Sequence, residues 1–207
     1  MIHICDNFFS DPYTVRNIAL HEKYMTERFN YPGVRSYGVP ESVKNNLFSK
    51  VKNITQNSNL KIGSTTFQSI KKEFGTGIYH KDHENYICII YLSLDPPVNS
   101  GTEICDFGVE GEVVTHYNAL KEWPTSLDYE RTYEIQLSYF KDPFNLIKRY
   151  RYARVRRKLN SYFTPTAIVA NKFNRGLIFP CKNYHRSQNF FGSSIENSRL
   201  TIVSFMY

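Results

Sequence analysis

The strongest constraint on the fold is a change of sequence pattern near Asn59. Before this residue, apolar side chains recur every three or four positions, as they do on one face of an α-helix. After it, short runs of β-branched and aromatic residues alternate with turn residues, which is typical of β-strands. The sequence therefore predicts an α+β chain that is mainly β, with helices at its N-terminal end.

Two amphipathic helices are predicted in the first part of the chain. The first begins at Pro12, because Asp11 is a favourable N-cap and proline is tolerated in a first helical turn. It runs to about Glu22. The second follows Pro40, and its apolar residues are spaced by four, four and three positions: Val43, Leu47, Val51 and Ile54.

Strands are predicted throughout the rest of the chain, at residues 60–62, 65–74, 78–80, 86–94, 112–116, 167–169, 176–180 and 200–205. Turn residues at 95–97 and 99–101 separate strand 86–94 from the next one, which predicts that these two strands are antiparallel neighbours. Two helices followed by many short strands indicate an antiparallel jelly roll with the helices packed on one sheet.

The whole chain, residues 1–207, is expected to form one domain with an insertion at about residues 117–164, where no sustained period is present. Within it, residues 148–158 are dense in lysine and arginine and interleave tyrosines. This pattern can follow a nucleic-acid backbone while stacking on bases, or it can be a solvated surface of the insertion. A formal net charge of +7 also favours acidic partners.

The cysteines are far apart in sequence and form no CxxC pair, so we expect reduced thiols. No apolar run approaches the ~20 residues of a membrane span. The first residues show no basic region followed by an apolar one, as a secretory signal would. These features predict a cytoplasmic protein with no membrane partner.

The motif that carries chemistry is the pair of His80 and Asp82, which are two residues apart at a predicted strand end and should therefore project to one face. Two imidazoles and one carboxylate form the facial triad of non-haem Fe(II) oxygenases. A His-x-Asp motif alone is common by chance. Here a second histidine, His185, follows the predicted strand 176–180, and Arg199 opens the last strand of the chain. This order of potential metal ligands and a basic residue makes the motif informative.

In this order the chain resembles the Fe(II)/2-oxoglutarate oxygenase superfamily, and within it the small prolyl-hydroxylase-like branch of bacterial and viral type. The matching segments are residues 6–9 with 11–12 and 15–16, the Tyr-Pro-Gly-Val-Arg turn at 31–35, the His-x-Asp strand with 91–93 and 100–102, and the segment from 185 to 199. Residues 100–103 depart from the double glycine frequent in relatives, and the basic insertion is not general in the family.

The resemblance implies a double-stranded β-helix, with a cupin-like core, in which His80, Asp82 and His185 hold Fe(II). It also implies that Arg199 pairs with the distal carboxylate of 2-oxoglutarate through its planar fork of donors. The implied reaction consumes O2, decarboxylates 2-oxoglutarate to succinate and hydroxylates a substrate C–H bond. Because Asp82 is present, halogenation is disfavoured. The metal of a purified sample can differ, since nickel and zinc bind such ligands more tightly.

Thr201 and Tyr91 are further candidates for binding 2-oxoglutarate, although an aromatic residue in a strand is more often a packing residue. Arg186 is a rival of Arg199 for the carboxylate, but it adjoins a ligand histidine and should face the opposite way. His83 is a rival metal ligand whose odd spacing in the motif also predicts the opposite face.

Substrate contacts in such folds come from loops and insertions, so the sequence leaves the substrate open. The prolyl-hydroxylase-like resemblance points to a side chain of a protein or peptide. The alternatives are a nucleic-acid-directed oxygenase, or a non-catalytic jelly-roll binding module that uses the basic segment 148–158.

Overall fold

The computed structural model describes residues 1–25, 31–105, 129–161 and 163–207, with the backbone alone for residues 129–133. The predicted strand at 112–116 lies outside the described residues, as does part of the predicted insertion. The helices are α1 (Pro12–His21), α2 (Glu41–Thr55), α3 (Tyr129–Lys141) and α4 (Leu146–Asn160). The strands are β1 (His3–Cys5), β2 (Val34–Arg35), β3 (Ile62–Ile70), β4 (Tyr86–Tyr91), β5 (Thr102–Cys105), β6 (Ala167–Val169), β7 (Gly176–Pro180), β8 (Tyr184–Ser187) and β9 (Arg199–Met206).

Helices α1 and α2 form where the sequence predicts them. The Asp11 carboxylate accepts a hydrogen bond from the Thr14 amide at 3.1 Å and so caps α1. Helix α2 begins directly after Pro40. It is terminated by its C-cap residue, Gln56, which has a left-handed backbone with φ of 53°. The apolar faces of both helices share one buried core with residues of the long strands, including Phe67 and Ile90. The predicted packing of the helices on one sheet is confirmed.

The strands form two antiparallel sheets. The large sheet has the order β1-β7-β4-β9-β3-β2, and the small sheet has the order β6-β5-β8. A second core joins them, with Ile89, Leu177 and Val203 from the large sheet and Ile104 and Val169 from the small one. The predicted class, α+β and mainly antiparallel β, is confirmed.

The predicted pairing of strand 86–94 with the strand that follows it is wrong. Strand β4 pairs with β7 and β9, whereas β5 pairs with β6 and β8 in the other sheet. Its apolar run is buried on both faces, so β4 takes a central position with a partner on each side. The turn instead carries the chain across to the small sheet, where any side chain on Gly101 would come within 1.9 Å of the Val169 carbonyl oxygen.

The expectation of irregular structure at residues 117–164 is also wrong for the described part, which forms α3 and α4. The apolar stripe of α4 is narrow, because only Tyr152, Val155 and Leu159 are buried among basic residues. Tyr152 stacks on Tyr139 of α3 with ring centroids 4.6 Å apart. One tyrosine that the sequence offered for base stacking is therefore a core residue.

Two expectations about the protein class can be compared with the structure. The four cysteines are thiols that form no disulfide with one another, as predicted, and Cys88, Cys105 and Cys181 are buried. Across residues 1–25, 31–105, 129–161 and 163–207, no helix combines the length and the apolar character that crossing a membrane requires.

Candidate metal centre

The structure brings His80, Asp82 and His185 together. One potential ligand atom from each lies within 4.8 Å of the others. The two histidines form an isolated antiparallel bridge, in which each backbone amide donates to the carbonyl oxygen of the other, at 3.1 and 3.0 Å. Their rings are 4.4 Å apart. The segment 78–80 is not a strand, so the expected strand alternation is not what positions Asp82, whose amide instead donates to the Cys181 carbonyl at 3.3 Å.

Backbone carbonyls fix the orientation of both imidazoles. The Nδ1 atom of His80 lies 2.8 Å from the Ile78 carbonyl oxygen, and that of His185 lies 3.0 Å from the Asn183 carbonyl oxygen. Because a carbonyl oxygen only accepts hydrogen bonds, each Nδ1 must carry a proton. In a neutral ring the Nε2 atom then carries the lone pair that can bind a metal, as in most histidine metal sites.

Both Nε2 atoms face the Asp82 carboxylate. His185 Nε2 lies 3.2 Å from Asp82 Oδ2, and His80 Nε2 lies 4.0 Å from Asp82 Oδ1. With neutral rings, Oδ2 is a solvent-shielded atom that accepts no hydrogen bond. A lone pair opposite a carboxylate oxygen at this distance is repulsive unless a proton or a metal cation lies between them. The donor set therefore fits a divalent cation.

The charge of Asp82 is maintained in spite of its burial. Burial by itself raises the pKa of this carboxyl group, but the contact with His185 and the charges of His80, His185 and Arg35 outweigh it and lower the pKa to about 2. At neutral pH the group is a carboxylate, which is the form that binds a metal.

A second polar cluster surrounds Arg199, which is 1% exposed. Its Nε and Nη2 atoms reach the Ser100 carbonyl oxygen and the Thr102 hydroxyl only at 3.4 Å, and no carboxylate of the described residues pairs with it. Burial lowers the pKa of Arg199, with partial compensation from Tyr91. The hydroxyl of Thr201 is buried and has no hydrogen-bond partner. Buried donors without an acceptor are costly, so this cluster is suited to bind an anion.

The two clusters share the space between the sheets. On β9, Arg199, Thr201 and Val203 are spaced by two residues and therefore lie on the same face of the strand. Val203 belongs to the core between the sheets, so this face is the inner one. Tyr91 is directly opposite Thr201 on β4, and its hydroxyl lies 2.7 Å from that of Thr102 on β5. On the small sheet, Thr102 and Ile104 are opposite Ser187 and His185, so the histidine also points inward.

The rivals named from the sequence lie elsewhere. Arg186 is on the outer face of the small sheet, where its Nε donates to Glu103 Oε2 at 2.6 Å. Tyr79 donates its hydroxyl hydrogen to the same carboxylate oxygen, and Gln188 donates to the other one at 3.1 Å. His83 is exposed and is not part of the cluster of potential ligands. The prediction that Arg186 faces away from the site is confirmed.

Sequence reasoning missed Arg35 as a residue of this site. It lies on β2 opposite Gln68, and Gln68 lies opposite Thr201, so the three side chains share the inner face of the large sheet. A strand of two residues is too short for alternation to indicate a face. The only sequence signal was its place in the Tyr-Pro-Gly-Val-Arg turn.

Comparisons with known proteins agree with this architecture. No protein-family model and no curated protein matches the chain. Among solved structures, HygX from Streptomyces hygroscopicus with nickel and 2-oxoglutarate bound has a TM-score of 0.58 at 11% identity, covering 99% of this chain and 82% of that one. An oxidoreductase of the 2OG-Fe(II) oxygenase family from Burkholderia pseudomallei gives 0.55 at 9% identity, covering 99% and 83%. A prolyl hydroxylase from Trichoplax adhaerens, in complex with a peptide fragment of the oxygen degradation domain of hypoxia inducible factor, gives 0.53 at 11% identity, covering 100% and 83%.

At these identities the likeness establishes the fold. The chain has the fold of 2OG-Fe(II) oxygenases, and the resemblance noted in the sequence is confirmed at that level.

Proposed function

We propose that the protein is a non-haem Fe(II)- and 2-oxoglutarate-dependent dioxygenase that hydroxylates a C–H bond of its substrate. The observation that carries the proposal is the convergence of His80, Asp82 and His185 beside the space between the sheets, where Arg199 is buried and forms no ion pair with a carboxylate of the described residues. When bound, Fe(II) with 2-oxoglutarate and O2 would supply the oxidative decarboxylation to succinate and the hydroxylation.

The three ligand residues would hold the metal on one side and leave the opposite side open. His80 and His185 would bind through Nε2, since each Nδ1 is already committed to a backbone carbonyl. Asp82 would contribute the single anionic ligand. The reciprocal backbone bridge between the histidines keeps both rings in place before any metal arrives.

Arg199 and Thr201 would bind the distal carboxylate of 2-oxoglutarate. The guanidinium supplies a charge-assisted fork, and the Thr201 hydroxyl supplies a further donor that lacks a partner. Tyr91, whose ring centroid lies 5.5 Å from the Arg199 guanidinium carbon, closes the other side of this subsite. The buried surroundings exclude water and so strengthen these contacts.

We further propose that the two facing sheets form a double-stranded β-helix, and that residues 1–207 are a single oxygenase domain with an insertion at 117–164. The four cysteine thiols, which form no disulfide with one another, favour a cytoplasmic location. A protein or peptide side chain is the proposed substrate type, supported by the likeness to a prolyl hydroxylase in complex with a peptide.

The test is succinate release from 2-oxoglutarate by protein that is loaded with Fe(II) anaerobically and then exposed to O2. Even without substrate, the wild type is expected to turn over slowly. The Asp82→Ala variant should lose at least about 100-fold, since even outer-shell partners of a metal contribute 10- to 100-fold. Arg199→Gln should raise the 2-oxoglutarate concentration that is required. Asp95→Ala, which removes an exposed carboxylate, is the matched control.

The proposal fails if the wild type binds iron and all four proteins are equally inactive. That result would favour a non-catalytic binding module built on the same fold.

A second candidate, a nucleic-acid-directed oxygenase or binding module, is favoured by the exposed side of α4. Arg149, Arg151, Arg154 and Arg157 are exposed there beside Tyr150. Binding of a single-stranded oligonucleotide should then weaken steeply with salt, and replacing Arg151 and Arg154 by glutamine should flatten that dependence. Binding that is independent of salt would exclude this candidate.

A further inference from the structure

We infer that Arg35 is the subsite for an anionic group of the primary substrate, a carboxylate or phosphate that presents two oxygens. The inference rests on the proposed oxygenase function and adds the chemical class of the molecule that it acts on. The inference leaves unchanged the roles proposed for the residues of the metal site and of the 2-oxoglutarate site.

Arg35 lies at one edge of the large sheet, on the face that also carries part of the candidate site. Strand β2 is the edge strand, and Arg35 shares its inner face with Gln68 and Thr201. Its guanidinium carbon lies 4.2 Å from the centroid of the Tyr31 ring and 5.9 Å from that of the Phe205 ring. Since Phe205 belongs to the core between the sheets, the side chain extends along the inner face.

Arg35 and Asp82 are close enough for each to affect the ionisation of the other. The charge of Arg35 contributes to the low pKa of Asp82. Burial lowers the pKa of Arg35, and the opposing contributions come from Tyr31, Asp82 and Glu84. The guanidinium therefore acts electrostatically on the carboxylate of the candidate metal centre.

The Nε donor of Arg35 is not used within the part of the chain that the structure describes. It is shielded from solvent and has no hydrogen-bond partner there, and no carboxylate of the described residues forms an ion pair with the guanidinium. A shielded guanidinium donor without an acceptor is costly for the fold. This matches Arg199, the other inner-face arginine for which an anion is proposed.

The charges of the loaded site leave Arg35 without a directly paired anion among the described residues. A divalent metal, the Asp82 carboxylate and Arg199 together offset the two negative charges of 2-oxoglutarate. The charge of Glu84 acts on Arg35, but the Glu84 carboxylate accepts a hydrogen bond from the Tyr207 hydroxyl at 3.5 Å and forms no ion pair with the guanidinium. A substrate anion would supply this direct partner.

The geometry of the group favours an anion with two oxygens. Nε and an adjacent Nη hydrogen form a planar fork that matches the oxygens of a carboxylate or phosphate. The Tyr31 ring lies against the guanidinium and would limit its rotation. Binding the anion here would orient the rest of the substrate relative to the metal.

The experiment uses protein loaded with cobalt(II) and 2-oxoglutarate under anaerobic conditions, so that no turnover occurs. Acetate and inorganic phosphate are the probes, and the measurement is paramagnetic relaxation of the acetate methyl protons and of the phosphate phosphorus nucleus. We expect saturable relaxation of at least one probe by the wild type, and the two probes distinguish a carboxylate site from a phosphate site. Arg35→Gln should reduce this relaxation at least fivefold, whereas Lys61→Gln, which removes an exposed positive charge elsewhere, should not.

Two readouts separate the possible failures. The cobalt absorption spectrum and its change on adding 2-oxoglutarate report the proposed function, and a wild type that gives neither would overturn both proposals. If both signals are present but Arg35→Gln relaxes the probes as the wild type does, the anions bind the metal directly and only the Arg35 subsite is overturned. If Arg35→Gln does not fold, Arg35→Lys replaces it: weaker binding, from loss of the planar fork, supports the subsite, and unchanged binding contradicts it.

Discussion

The outer face of the small sheet and the inner face of the large sheet both carry polar side chains that are largely shielded from solvent, but the polar groups on the two faces are paired to very different extents. On the outer face, Glu103 accepts hydrogen bonds from Tyr79, Arg186 and Gln188, so the polar groups satisfy one another. On the inner face, Arg199 has only long contacts, and the Thr201 hydroxyl has none.

The contrast distinguishes polar groups that stabilise the fold from polar groups that are suited to bind a ligand. A buried network in which every group has a partner stabilises one arrangement of the chain. Buried donors that lack acceptors reduce the free energy of unfolding, and they persist at sites where a ligand will complete them. Arg186 lies on an edge strand of the small sheet and Arg199 on an interior strand of the large sheet. The partners of each arginine, more than its sequence position, distinguish their roles.

The largest expected change in stability comes from disrupting the hydrogen-bond network around Glu103 on the outer face of the small sheet. Arg186→Met leaves the partly buried Glu103 carboxylate without its cation, since these side chains are 21% and 9% exposed. We expect the free energy of unfolding to fall by about 3 kcal/mol, measured by urea denaturation of the metal-free protein. A loss below about 0.5 kcal/mol, the usual range for surface substitutions, would show that the network does not support the fold.

Replacing the inner-face arginine, Arg199, by methionine should change the free energy of unfolding in the opposite direction. Arg199→Met removes a buried charge that has no counter-ion, so the free energy of unfolding of the metal-free protein should rise by about 1–2 kcal/mol. Binding of 2-oxoglutarate should be lost, and the ligand should therefore no longer raise the melting temperature of the metal-loaded variant. Destabilisation equal to that of Arg186→Met would remove the distinction between the faces.

A smaller effect is expected from acidification of the metal-free protein. The pKa of Asp82 is lowered from an ordinary value of 3.8 to about 2 on folding. Its contribution, about 2 kcal/mol, is therefore fully present above pH 3.8 and is lost as the pH falls through about 2. About 1 kcal/mol should disappear between pH 5 and pH 3.

The measurement is urea denaturation of wild type and Asp82→Asn at both pH values, with Asp95→Asn as control. The wild type and the control should lose the same amount, and Asp82→Asn should lose about 1 kcal/mol less. Equal losses in all three proteins would mean that the contacts of Asp82 with the histidines and Arg35 do not exist in solution.

Much of the local structure could be predicted from the sequence, because it depends on neighbouring residues. The Asp11 cap and the spacing of Val43, Leu47 and Val51 are local signals, and α1 and α2 follow from them. The order of the His-x-Asp motif and His185 was enough to single out three residues whose potential ligand atoms lie within 4.8 Å of one another in the structure.

The rest depends on long-range pairing, which the sequence does not encode in any short window. The partners of β4 come from β7 and β9, far along the chain, although a tight turn follows β4 directly. Helix α4 was missed because its arginines obscure the buried positions of Tyr152, Val155 and Leu159. Arg35 acquires its role only through the register of β2 with β3.

The reciprocal bridge between His80 and His185 has a consequence for the rate at which a metal would leave. Each histidine amide hydrogen is held by the carbonyl of the other residue, so hydrogen exchange at either amide requires the bridge to open. The same opening would separate two of the three proposed ligands. The exchange rates of these two amides would therefore set an upper limit on metal release by this route, and in the loaded protein a single local opening would govern both processes.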